Sequence, residues 1–115
     1  MKNIVLQRIR KEEENVYSLA ERYYMVLSAV NGLKLTEREI QLIAFTAIKG
    51  NISYASIREE FCKKHSTTNA SINNIISKLK RTGILVKDGT RVKVNPQIVM
   101  NFENDVVLEI RILHK

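Results

Sequence analysis

The chain has 115 residues, 44% hydrophobic and 27% charged, with one proline, four glycines, one cysteine and a formal net charge of +7. This is the composition of one globular domain that buries a modest core. The lone Cys62 excludes an internal disulfide framework, and no stretch reaches the length of a membrane span.

Residues 3–9, "NIVLQRI", are apolar with some alternation and read as a short strand. A helix is predicted over 11–30, with Glu12, Glu13 and Glu14 in its first turn, where acids suit the helix dipole. Its inward stripe is Val16, Leu19, Ala20, Tyr23, Leu27 and Val30, widened by Tyr17 and Tyr24, and Gly32 ends it. "LTERE" supplies a capping box, Thr36 with Glu39 three residues on. The helix behind it buries Ile40, Ile43, Ala44, Ala47 and Ile48, with Leu42 and Phe45 beside them, and stops at Gly50. Ser53 is the expected cap of a third helix, with Ala55, Ile57, Phe61 and Cys62 inward.

"KKHSTT" then provides a cap for a fourth helix from Ser66, Thr67 or Thr68, and that helix runs over 69–82 to Gly83. Beyond Gly83 the period changes from 3.6 to 2. "ILV" and "RVKVN" flank "KDGT", in which Asp88-Gly89 is a hairpin turn signal. Asn95 and Pro96 start a short helical turn. "DVVLEIRILHK" reads as a terminal strand over 105–113, which needs a partner: residues 3–9 or its own copy in a second subunit. The fold class is therefore mainly α with a small β-sheet (α+β).

The charge is unevenly placed. Residues 63–93 hold Lys63, Lys64, Lys78, Lys80, Arg81, Lys87, Arg91 and Lys93 against Asp88 alone, a net +7 that accounts for the whole excess. A segment stripped of acids beside neutral flanks is the footprint expected for a polyanion. On a wheel of about 100° per residue, Ile72, Ile75, Ile76 and Leu79 form the core face of helix 69–82. Ala70, Asn73, Asn74, Ser77, Lys78 and Arg81 fall opposite. Amides match the adenine edge in the major groove, Arg matches guanine, and Lys and hydroxyls match phosphate or either base. On "RVKV", Arg91 and Lys93 share one face and Val92 and Val94 the other, so the cations around the turn, Lys87 included, are placed for phosphate contacts.

The run from "LTEREIQLIAF" through "ISYASIREEFCKKHSTTNASINNIISKLKRTGILVKDGTRVKV" resembles a winged helix-turn-helix domain of the MarR-like kind, over about residues 35–95. The resemblance implies that 69–82 is a recognition helix and 84–94 a wing. It implies DNA contacts at Thr67, Thr68, Asn69, Ala70, Asn73, Asn74, Ser77, Lys78, Arg81, Lys87, Arg91 and Lys93. Two departures stand out. The family's wing is usually longer, with an Asp and an Arg close together, whereas Asp88 and Arg91 here flank a tight turn. MarR-type proteins also dimerise through terminal helices, whereas this chain is expected to end in a strand. Small winged-helix proteins of tailed phages are similar in size and in that strand-like tail.

The expectation is one domain over 1–115 with its core at 35–95. Helix 11–30 and strands 3–9 and 105–113 are additions or an oligomer interface. The function expected is binding of double-stranded DNA by a homodimer or higher homo-oligomer that regulates transcription or replication, in the cytoplasm of a bacterial or phage-infected cell. The other reading is a phage structural or assembly protein using the same fold for protein contacts; RNA binding is weaker, for want of an RNP-type aromatic motif. Cys62 and His65 have C-x-x-H spacing without the further ligands zinc requires. No nucleophile, acid pair or phosphate loop points to an enzyme, and no cofactor, membrane contact or small-molecule ligand is implied.

Overall fold

The structure is a computed structural model that describes residues 4–5, 15–104 and 106–114. Four helices, α1 (Val16–Asn31), α2 (Glu37–Lys49), α3 (Ala55–His65) and α4 (Asn69–Arg81), lead into an antiparallel hairpin of β1 (Leu85–Asp88) and β2 (Arg91–Val94), and then a 3-10 turn at Pro96–Ile98. The expected order of elements from α1 to the hairpin is thus present. The strand expected at 3–9 lies mostly outside the described residues; Ile4 and Val5 are exposed and in no strand.

The described helix α1 starts later than position 11. Asn15 is its N-cap, with Oδ1 accepting from the Ser18 N–H at 2.9 Å, so its first turn carries no acid. Asn is among the strongest capping residues, which explains the boundary. At the other end Gly32 is left-handed, and the Leu33 N–H reaches back to the Ser28 carbonyl. Val30, expected in the stripe, is exposed; Ser28 is buried in that turn instead, its hydroxyl accepting from the Leu35 N–H at 3.2 Å.

The centre of the domain is α2. Its capping box is formed on both sides: Thr36 Oγ1 accepts from the Glu39 N–H, and Glu39 Oε1 accepts from the Thr36 N–H. Seven consecutive or near-consecutive residues, Glu39, Ile40 and Leu42 to Thr46, are buried, because α1, α3 and β2 each pack on a different side of it. Phe45 stacks on Tyr17 of α1 and meets the Phe61 ring of α3 edge-on, with centroids 5.8 and 5.3 Å away.

Ser53 does not cap α3 as expected. Tyr54 holds the N-cap position without a side-chain bond, and the Ser53 hydroxyl accepts from the Val92 N–H at 2.6 Å. With Ile52 N–H donating to the Val92 carbonyl, the 52–53 segment satisfies the outer edge of β2, and that demand outcompetes the cap. Ala55, expected inward, is exposed; Phe61 is the one fully buried residue of α3, with Ile57 and Cys62 partly covered.

The hairpin register pairs Leu85 with Val94, Val86 with Lys93, Lys87 with Val92 and Asp88 with Arg91. Its loop is therefore Gly89-Thr90, one residue later than the Asp88-Gly89 pair. Gly89 has φ +62° and Thr90 is not left-handed, the pattern of a type II′ turn, in which glycine takes the first position.

After the hairpin, Asn95 caps the 3-10 turn as expected. The Tyr24 hydroxyl donates to the Ile98 carbonyl at 2.9 Å, and Phe102 packs on both Tyr23 and Tyr24. The terminal strand expected over 105–113 is not formed: residues 106–114 adopt no secondary structure and, among the described residues, make no backbone hydrogen bond. The pattern is that of a strand, but no described segment pairs with it.

Candidate nucleic-acid interface

Thr68 is the residue that caps α4, accepting from the Ser71 N–H through its hydroxyl. The chain turns from α3 to α4 in residues 66–68, with Ser66 in the left-handed region at φ +52° and the N–H groups of Ser66 and Thr67 both directed at the Cys62 carbonyl. Arg38 of α2 donates to the neighbouring His65 carbonyl, which fixes the turn to the body. Ile72, Ile76 and Leu79 are buried as expected, with Ile75 partly so, and this aims the opposite face outward.

That outward face has a middle and two edges. Along the middle run Ala70, Asn74, Ser77 and Arg81, all exposed and, among the described residues, without a side-chain bond or ion pair. Each edge is braced by a neighbouring helix. On one, Arg58 of α3 donates to Asn73 Oδ1 at 2.6 Å while its Nε donates to the Ile52 carbonyl. On the other, Lys78 Nζ lies 2.6 Å from the buried Glu39 Oε2 of α2. Asn73 keeps its amide donors for a partner but has its oxygen engaged. Lys78, expected as a free contact, is tied into the body and half-exposed. Thr67 is partly covered, Thr68 is occupied in capping, and Asn69 is exposed at the helix start.

The braces were not read from the sequence. Glu39 lies four residues before Ile43 on the buried stripe of α2, and a buried carboxylate there requires a cation. That was the available signal for Lys78. No comparable pattern announces Arg58.

Burial pushes the Glu39 carboxyl up, but hydrogen bonds from Lys78 and from the Thr36 N–H and hydroxyl outweigh it and hold it below the usual glutamate range. A depressed folded-state value gives stability that is complete above the unfolded value of about 4.3 and is lost as pH falls through the folded one. Unfolding midpoints are therefore expected to drop on acidification below that range, and Glu39→Gln to flatten the drop. At neutral pH Glu39→Ala is expected to cost about 2–3 kcal/mol, from the lost cap and the lost charged hydrogen bond. Chemical denaturation between neutral and acidic pH checks both.

The hairpin continues from α4 through Gly83, with the Ile84 N–H donating to the Leu79 carbonyl. Leu85, Val92 and Val94 are buried on its inner face, while Arg91 and Lys93 share the outer one, as expected. Lys87 pairs with Val92 and so falls on the inner-face side, exposed near the tip. Lys93 is bound by Asp88 at 2.9 Å, which depresses the Asp88 carboxyl. Lys64 stands 3.4 Å above the Tyr17 ring. Among the described residues, Lys63, Lys80, Arg81, Lys87 and Arg91 remain as exposed cations of the basic segment with neither an ion pair nor a ring contact. No group of three or more His, Cys, Asp or Glu among the described residues could hold a metal ion, and no described helix is long and apolar enough to cross a membrane.

Comparison of the chain with protein-family models, with curated proteins and with solved structures finds no match.

Proposed function

We propose that this chain is a duplex-DNA-binding protein with a winged helix-turn-helix architecture of the MarR-like kind, a regulator of transcription or replication. In this reading α4 enters the major groove and the β1–β2 hairpin rests on the backbone beside it. The observation that carries it is the middle row of α4, Ala70, Asn74, Ser77 and Arg81: small at the start, amide and hydroxyl in the centre, cationic at the end, free of acids and left unpaired while both edges are braced. An unpaired polar row breaks no internal bond when it meets a groove, and the cost that remains is the ordering of its side chains. The short α3–α4 turn, the hairpin directly after α4, and the 52–53 segment against β2 support the architecture.

With Arg81 in the groove, phosphate contacts by Lys63, Lys80, Lys87 and Arg91 would release about four counterions' worth of charge, so log K is expected to fall with log salt at a slope of roughly −3 to −4. Fluorescence anisotropy with a mixed-sequence duplex measures the slope; no binding at about 50 mM salt defeats the DNA reading. Lys87→Ala and Arg91→Ala are expected to weaken binding to all sequences alike and to make the slope shallower by about 1 each.

A second reading, a structural or assembly protein of phage type, is favoured by one observation, the exposed apolar Val107, Ile110, Ile112 and Leu113. It expects large stable assemblies in nuclease-treated protein, which light scattering detects.

A further inference from the structure

We propose that residues 106–113 pair as an antiparallel strand with the same residues of a second copy of this chain, about a two-fold axis at Ile110.

The segment begins on the body and leaves it. Val106 packs against the core just beyond Phe102, and exposure then rises along one side from 39% at Leu108 to 55% at Ile110 and 95% at Ile112. The sequence has a strand's alternation, without a strand's hydrogen bonds among the described residues. Such an edge is a template for another chain.

Charge selects the occupant and its register. Glu109 and Arg111 share the side opposite Leu108, Ile110 and Ile112, and in the single chain they meet only each other, at 3.2 Å and well exposed. Pairing centred on Ile110 sets Glu109 opposite Arg111 of the second copy, twice by symmetry, and Leu108 opposite Ile112. Shifting the centre by half a residue sets charged residues against apolar ones. Moving it to Glu109 or to Arg111 sets like charges face to face, as does a parallel in-register arrangement. Opposite charges directly across an antiparallel pair stabilise it and like charges oppose it, and a self-complementary patch is what a two-fold interface requires. Residues 3–9 of the same chain, the competing occupant, contain no acid to meet Arg111.

A two-stranded ribbon alone is marginal, so the dimer is expected to be concentration-dependent. Size-exclusion chromatography with light scattering, at protein concentrations up to about 100 μM, should show a species of twice the 13.3 kDa chain mass. Glu109→Arg is expected to weaken it about ten-fold, and the swap Glu109→Arg with Arg111→Glu to restore it. In a Cys62→Ala background, Ile110→Cys should form an intermolecular disulfide on mild oxidation, since facing residues of a strand pair have the required spacing. Circular dichroism on each variant confirms that the helices are retained. A monomer throughout the range, a dimer indifferent to the charge reversal, or a larger assembly overturns the proposal. Loss of the dimer leaves the DNA reading standing, because neither α4 nor the hairpin takes part in the pairing.

Discussion

Phe61→Ala is expected to lower the unfolding free energy by about 3–5 kcal/mol, a large share of the roughly 5–15 kcal/mol that holds a domain of this size. Phe61 has no exposed surface, meets the Phe45 ring edge-on at 5.3 Å and lies 4.5 Å from the His65 ring. It is also the one fully buried residue of α3, so the helix has no second anchor of that kind. Ile57 and Cys62 are only partly covered, and Ala55 is exposed. Losing Phe61 therefore loosens α3 before it loosens α1 or α2, and α3 carries the Arg58 that braces Asn73. Urea denaturation followed by circular dichroism measures the loss. Hydrogen exchange should show α3 and the start of α4 opening first.

Arg81→Ala is expected to reduce discrimination between the preferred duplex and a mixed-sequence duplex by roughly 10-fold or more, the range of a bidentate arginine–guanine contact. Asn74→Ala should relax preference at a neighbouring base pair by a similar factor, since its amide is unpaired in the free protein. Neither side chain supports the fold, so denaturation midpoints should move little. Asn73→Ala should behave differently: it releases Arg58 as well as removing an amide, so its effects on preference and on α3 stability should appear together. Competition binding assays with the two duplexes separate these outcomes.

The helices and the hairpin were legible because their signals are local. The Thr36–Glu39 capping box, the Ile72/Ile76/Leu79 stripe and the shift to a two-residue period after Gly83 each depend on neighbours within a few positions. The errors arose where a distant partner decided the matter. Ser53 is an ordinary cap candidate until Val92, 39 residues away, claims its hydroxyl. Lys78 is an ordinary outward cation until the buried Glu39 requires it. Residues 105–113 carry the sequence pattern of a strand, but a strand exists only when it is paired, and no described segment pairs with 106–113. For the candidate site, the sequence separated the exposed face of α4 from the buried one; the division into a free row and two braced edges needed the packing of α2 and α3.

Selection of bound molecules from a random duplex pool tests whether the free row of α4 reads duplex sequence. A short enriched motif is expected for the native chain, with preference at single base pairs lost in Asn74→Ala and Arg81→Ala while residual, salt-sensitive binding to all duplexes persists. Recovery of no motif above the unselected pool, or of the same motif by both variants, would contradict it.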